Sequence, residues 1–418
     1  MPMTQHKEDN RVDMSLYRDD FPILNAQMNG KPVAYLDSAS SAQKPAVVIE
    51  AMRALYEGHY ANIHRGLYQF SQVTTEAFES VRGKIQGFIN APGADEVIFT
   101  RNTTEAINLV AQSWGRKYLK RGDEIILSEM EHHANIVPWQ LLAQETGITI
   151  KIIPVLDDGT LDFGSFMALL SEKTRLISLV HASNALGTLN NVQNLAEKAK
   201  NFNKNIRFLV DGSQSVVHGP IDVQALGCDF FVFTAHKLYG PNGVGVLWAK
   251  GDILADMPPY QGGGDMIESV SFKTGTTFKS APARFEAGTP AIAEVIALGT
   301  AIDYVTAIGM DNIARREQEL LSILTGQLQN IDGLTFYGTA PNKVGVVSFT
   351  ADWAHASDIA MILDQCGVAV RTGHHCCMPL MERYGIDATV RASLGLYSNE
   401  NDIEALINGL KKAKDMLS

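Results

Sequence analysis

Cysteine is scarce in this chain: four residues in 418, at positions 228, 366, 376 and 377. So few cysteines in so long a chain build no disulfide framework, and a reducing, cytoplasmic setting is the expectation. Basic charge is also short, with 35 Lys and Arg against 46 Asp and Glu, a net charge of −11. Nucleic-acid binding depends on clustered cations, so no nucleic-acid partner is expected. No apolar run reaches the length of a membrane span, and no membrane association is expected either. The first residues, MPMTQHKEDNRVDMSLYRDDFPIL, mix charges without an apolar stretch and do not read as a signal peptide. The run G-x-x-x-x-G-K-[ST] is missing, which argues against a nucleoside triphosphatase. Internal repeats and low-complexity tracts are missing too. What is present, 45% hydrophobic and 19% charged residues, suits a globular enzyme of two or three domains with a large core.

Residues 1–30 read as a leading arm with Phe21, Ile23 and Leu24 as its apolar anchor. From residue 97 onward short apolar runs alternate with amphipathic stretches. Strands are predicted at 97–100, 124–128, 149–154, 175–180, 206–210, 229–234 and 244–248, with helices such as 105–114, 136–146 and 192–201 between them. That alternation predicts an α/β fold, a large domain over residues 31–290 around a mainly parallel seven-stranded sheet. Gly, Ser, Thr and Pro interrupt the pattern over 261–288, which suggests an excursion or a domain edge. Long helices at 291–307 and 312–328 follow. Short strands at 344–349, 368–371 and 389–392 and a closing helix at 401–416 complete a smaller α+β domain, 291–418, against which the arm is expected to pack.

The chemistry centres on FVFTAHKLYGPNGVG, Phe231 to Gly245. Lys237 lies just past the carboxyl end of a buried strand, where open α/β sheets place their ligands. A lysine beside an apolar wall loses solvation, its pKa falls, and the neutral amine can form a Schiff base with a carbonyl cofactor. Asp211 ends the preceding strand. A carboxylate and a lysine at successive strand ends are what pyridoxal 5'-phosphate needs, the carboxylate keeping the pyridine nitrogen protonated. Asn102 and Glu105 form a capping-box pattern, and the N–H groups there, with the hydroxyls of Thr103 and Thr104, offer a phosphate seat or simply an N-cap. His132 and His133 follow another strand, where a histidine can lie on an aromatic cofactor; a surface pair is the alternative, and a metal site lacks partners. Asn184 and Gln214 are neutral donors at the sheet's edge. His64 and Arg65, in NIHRGLYQF, can line a site or a surface loop. In VAVRTGHHCCMPL, Arg371 and the histidines around Cys376 favour a thiolate there, while Cys377, followed by Met-Pro-Leu, turns towards apolar packing if the loop is extended. Arg391, in TVRASLGLY, suits a bidentate clamp on a carboxylate or a structural salt bridge. Cys228 and Cys366 sit among apolar residues and read as core.

These runs together resemble a known family. YLDSASSAQKP, EHHANIVPW, HKLYGP, RFEAGTP and RTGHHC, spread from Tyr35 to Arg391, resemble the group II (SufS-type) pyridoxal-phosphate-dependent cysteine desulfurases, class V aminotransferase-like enzymes of fold type I. The resemblance implies a homodimeric transferase that converts L-cysteine to L-alanine. The sulfur is left as a persulfide for a SufE- or SufU-type acceptor, as in iron–sulfur cluster assembly. It implies Lys237 as the cofactor lysine, Asp211 at the ring nitrogen, His132 stacked on the ring and Gln214 at the ring oxygen. Thr103, Thr104, Thr234 and His236 match phosphate-side positions, and Thr289 the position that reaches the partner subunit's phosphate. Arg391, Asn184 and Arg371 match substrate contacts, and Cys376 the persulfide-forming nucleophile. A selenocysteine lyase acting on L-selenocysteine would share these contacts, and an aminotransferase is the more distant alternative. Ser213 and Ser215 stand where alanines are usual and Ala235 where glycine is common, changes that can tighten the pocket. Cys377 beside the nucleophile is also a departure.

Overall fold

The structure is a computed structural model that describes residues 14–418; residues 1–13 of the expected arm lie outside the described residues. Seven strands form the main sheet: β1 (Val97–Thr100), β2 (Glu124–Ser128), β3 (Thr149–Ile153), β4 (Thr174–Val180), β5 (Arg207–Asp211), β6 (Phe230–Thr234) and β7 (Gly245–Ala249). Their order is β1–β7–β6–β5–β4–β2–β3. The run from β6 to β3 is parallel, and β7 is antiparallel to both its neighbours. The physical reason is the link. Only ten residues separate Thr234 from Gly245, too few for a helical crossover, so the chain turns back on itself. Central strands are apolar on both faces, as a helix-covered sheet requires. Val210, Phe231 and Phe233 enter one core, and Leu209, Phe230 and Val232 enter the core on the opposite face.

A second sheet holds β8 (Leu334–Tyr337), β9 (Val346–Ala351), β10 (Arg371–Gly373) and β11 (Thr389–Ser393), antiparallel throughout in the order β8–β9–β11–β10. Helices Met310–Leu328, Ala356–Gln365 and Glu400–Leu417 supply Leu324, Leu363 and Leu406 to its core, with Phe349 and Val390 from the strands. Ala34–Tyr35 pairs in parallel with Val368–Ala369, and Asp37 bridges to Ser393, so the segment that begins at residue 34 is fastened to this smaller sheet. Arg18 reaches Asp402 at 2.8 Å and the carbonyl of Tyr397 at 2.7 Å. Phe21 is fully buried among Tyr239, Tyr304 and Tyr397. Among the described residues no single helix is long and apolar enough to cross a membrane.

Two elements differ from the sequence expectation. The irregular stretch 261–288 contains a hairpin, Ile267–Ser271 with Gly275–Phe278, whose residues are almost all exposed, so no buried face marks its strands in the sequence. Leu334–Tyr337 is an edge strand, only partly buried, and equally silent.

Glycine at position 245 is fixed by contact. A Cβ there would lie 2.4 Å from the carbonyl carbon of Asn102, at the cap of helix Thr103–Val110. Gly245→Ala should therefore destabilise the protein by about 1–3 kcal/mol through displacement of that cap. Gly83→Ala, in open space within helix Gln69–Phe88, should instead stabilise by about 0.5–1 kcal/mol. Urea titrations of the two variants beside the parent measure both signs.

Candidate active site

The carboxyl ends of β2, β4, β5 and β6 converge on one cavity of about 220 Å³. The large sheet brings Thr103, Thr104, His132, Asp211, Gln214, Thr234, His236 and Lys237 to its wall. Asn184, from the loop after β4, and Arg371, Cys376 and Arg391, from the smaller sheet and its loop, close it from the other side. Thr289 is not among them. It lies in a separate cavity with Arg101, Tyr260 and Gln261. His64 is also elsewhere, its ring nitrogens each 3.0 Å from Glu79 and Asp265.

Lys237 sits three residues past β6. Removal from water pushes its pKa down to about 8; the charge of Asp211 works against that shift and Arg391 works with it. Asp211 is buried, and its Oδ1 accepts from the Ser213 N–H at 3.0 Å and the Ser213 hydroxyl at 2.6 Å. Oδ2 has no donor among the described residues. The Ser213 hydroxyl, having given its proton to Asp211, accepts from Thr103 Oγ1 at 2.9 Å. The Thr103 hydroxyl is thereby committed to Ser213. Thr234 Oγ1 donates to the carbonyl of Val244 at 3.2 Å. At the start of helix Thr103–Val110, Asn102 caps the N–H of Glu105, and the N–H groups of Thr103 and Thr104 find no acceptor among the described residues.

His132 Nδ1 accepts the N–H of Ala134 at 3.1 Å, which leaves the ring proton on Nε2. Burial, then the charge of Lys237, push its pKa down to about 4, so the ring is neutral at pH 7. Gln214 donates to the carbonyl of Ala39 at 2.7 Å, which fixes the orientation of its amide. Arg391 is buried in β11. One terminal nitrogen donates to the carbonyl of Asn184 at 2.9 Å, the other to Asp37 at 3.0 Å and Ser40 at 2.6 Å, and Nε has no partner among the described residues. Arg371 is half-exposed, 3.5 Å from Asp37.

The two adjacent thiols have opposite surroundings. Cys376 is exposed to the cavity, whereas Cys377 packs among Met130, Leu186, Leu380 and Met381 with its thiol 3.3 Å from Asn184 Oδ1. Burial pushes the Cys377 thiol up to about 12. Alternation along an extended loop is not what separates them. His375 and Cys376 both hold left-handed backbone, φ 50° and 58°, so the chain turns sharply after β10. The expected help from His375 is likewise corrected. It is buried against Thr389 at 2.8 Å, with its pKa pushed down to about 3 by burial first and by Arg391 next, so it carries no positive charge at neutral pH. Of the other cysteines, Cys228 is buried and Cys366 only partly so.

Asp37 and Ser40 carry no site signal in the sequence, and Ser213, read there only as a change that tightens the pocket, holds Asp211. Each acts by orienting another group, Arg391 for the first two and Asp211 for the third, and short polar residues in loops carry no periodic signal of that task.

Residues 34–406 match the family described as Aminotransferase class-V. The cysteine desulfurase of Escherichia coli (strain K12 / DH10B) is 49% identical over 400 residues, covering 96% of this chain and 98% of that protein. The cysteine desulfurase of Pectobacterium atrosepticum is 48% identical with the same coverage. Among solved structures, the cysteine desulfurase CsdA from Escherichia coli, in an S-sulfonic acid form, has a TM-score of 0.90 at 35% identity, covering 98% of this chain and 100% of that one. A C-DES mutant with glycine covalently linked to its PLP cofactor has a TM-score of 0.79 at 25% identity, covering 94% and 98%.

The depressed pKa of Lys237 gives a measurable signature. Its rate of reductive methylation should rise about tenfold per pH unit up to about pH 8 and then level off, while an ordinary lysine keeps gaining to about 10.4. Because the charge of Asp211 holds the ammonium form up, Asp211→Asn should move the plateau to lower pH. Peptide mass spectrometry of Lys237 across a pH series reads both effects.

Proposed function

The chain belongs to the class-V aminotransferase family, and within it we propose that the protein is a cysteine desulfurase that turns L-cysteine into L-alanine and holds the sulfur as a persulfide on Cys376. The observation that carries this reading is one cavity containing a desolvated amine, Lys237, the unsaturated carboxylate of Asp211 and, on its rim, the exposed thiol of Cys376.

The donor set fits pyridoxal 5'-phosphate. The open N–H groups of Thr103 and Thr104 suit a phosphate, with His236 on the same side. The free Oδ2 of Asp211 suits a protonated ring nitrogen, the neutral face of His132 suits an aromatic ring, and the remaining N–H of Gln214 suits a ring oxygen. Lys237 is the residue that would bond the aldehyde carbon. When bound, the cofactor withdraws electrons from the substrate's carbon skeleton.

The chain's own residues then divide the work. Arg391, a buried guanidinium on the cavity wall, binds the substrate carboxylate and is kept in place by Asp37, Ser40 and the Asn184 carbonyl. Arg371 adds positive charge at the mouth. Lys237, with its pKa near 8, takes the proton from the substrate's Cα and returns one to the carbon skeleton. The Cys376 thiolate attacks the substrate sulfur. The S–S bond forms as the Cβ–S bond breaks, the electron pair stays on carbon, and protonation of that carbon gives L-alanine and Cys–S–SH. Exposure of Cys376 then suits transfer to an acceptor protein of the SufE or SufU type, as in iron–sulfur cluster assembly.

Purified protein given L-cysteine should form alanine and persulfide in equal amounts; a keto acid in place of alanine would make it an aminotransferase. Borohydride reduction should leave the cofactor on Lys237. Cys376→Ser should keep the cofactor but lose the persulfide, and Cys377→Ser should retain most activity. Persulfide mapped to Cys377 would overturn the assignment.

We further propose a homodimer in which Thr289 serves the partner's cavity. Supporting this are its place apart from Lys237 in the same chain and the exposed apolar run that follows Arg65, which shares a cavity with Thr289, with Leu67 93% exposed beside Tyr68 and Phe70. Mixed dimers of Lys237→Ala and Thr289→Ala chains should keep about half of the parental activity, since both lesions fall on one site. Activity confined to a monomer in sedimentation would refute the dimer.

A further inference from the structure

We propose that His133 is a positioning residue for the persulfide-forming step, strapping the Cys376 loop to the large sheet; this rests on Cys376 being the nucleophile. Two consecutive left-handed residues that are not glycine, His375 and Cys376, relax unless their peptide groups are held from outside. The carbonyl of Cys376 accepts the backbone N–H of His133 at 2.8 Å. Two residues on, the N–H of Met378 donates to His133 Nε2 at 3.1 Å. The N–H of Cys376 itself donates to His374 Nδ1 at 3.0 Å, and the His374 ring leans on the His133 ring with centroids 5.5 Å apart. His133 thus grips the chain directly at the Cys376 carbonyl and at Met378, just past the thiol, and backs the His374 contact on the other side through its ring.

The strap has a rigid footing. His133 opens the short helical turn His133–Asn135 after β2. Beneath it Glu131 is fully buried, receiving the Ser128 hydroxyl at 2.6 Å and the Asn135 amide at 2.7 Å. Asn135 in turn receives Trp139 Nε1 at 2.9 Å and the Ser178 hydroxyl at 2.6 Å. Each polar group of this network is satisfied, which fixes the turn. The acceptor role at Nε2 needs an unprotonated nitrogen, and burial, with His374 nearby, lowers the His133 pKa in that direction. Adjacent imidazoles thereby divide two tasks: His132 lines the cavity, and His133 holds the thiol that must reach into it.

The experiment uses the purified holoenzyme as wild type, His133→Ala and His133→Gln, whose Oε1 can replace the Nε2 acceptor. Three quantities are read: the absorbance change of the bound cofactor on adding L-cysteine, persulfide on Cys376 by peptide mass spectrometry, and the alkylation rate of Cys376 by iodoacetamide. His133→Ala should slow persulfide formation about five- to tenfold, the range for a lost hydrogen-bond acceptor. The absorbance change should keep its wild-type rate and alkylation should not fall, because the thiol stays intact and only its aim is lost. His133→Gln should recover most of the persulfide rate. Wild-type persulfide formation in His133→Ala, an equal slowing of the absorbance change, or failure of His133→Gln to rescue would each overturn the proposal. Persulfide on Cys377 in the wild type would instead sink the assignment of the nucleophile, whatever His133 does.

Discussion

Desolvation of one amine is the constraint on which the rest of the structure depends. Lys237 is useful only where burial strips its ammonium of water and a carboxylate nearby limits how far the pKa falls. Both conditions come from the sheet. β6 delivers the lysine past its carboxyl end, and β5, hydrogen-bonded beside it, ends at Asp211, opposite Val232. The apolar cores on both faces hold these strand ends rigidly, and the short turn after β6 carries Lys237 from that fixed end.

The smaller sheet solves a different problem, since a cavity made by strand ends alone is open on one side. β11 brings in Arg391, and the turn after β10 brings in Cys376. Burying a guanidinium demands partners, and Arg391 finds them in Asp37, Ser40 and the carbonyl of Asn184. Asp37 reaches that position because Ala34–Tyr35 is paired with Val368–Ala369. An early segment of the chain therefore partners a buried guanidinium that belongs to its last third. Asn184 links the same elements again, donating to the carbonyl of His375 at 2.7 Å while its Oδ1 receives the Cys377 thiol. The loop that carries Cys376 and the guanidinium of Arg391 are thus held by one residue of the loop after β4.

The neighbouring thiols illustrate how surroundings divide identical chemistry. Cys377 is fully buried against methionine and leucine side chains, where ionisation is suppressed. Cys376 remains in contact with solvent and cavity. Its exposure follows from two left-handed residues in succession, a backbone shape that no residue type at positions 375 and 376 announces, since neither is glycine.

Much of this was legible in the sequence. Periodicity located all seven strands of the large sheet because each is an apolar run bounded by turn residues, and the positions of Lys237 and Asp211 at strand ends followed from those boundaries. Family motifs then pointed to most of the residues that line the cavity, but also to Thr289, which lies apart from it, and not to Ser40. What the sequence left unread depends on contacts between distant segments. The antiparallel turn of β7, the exposed hairpin at 267–278, the partnership of Asp37 with Arg391 and the neutral, buried state of His375 fall in this class. Strand identity is written locally, in the alternation and clustering of apolar side chains. Charge state, orientation and the choice between adjacent thiols are set by which groups from remote positions exclude water around them, and only the folded chain determines that.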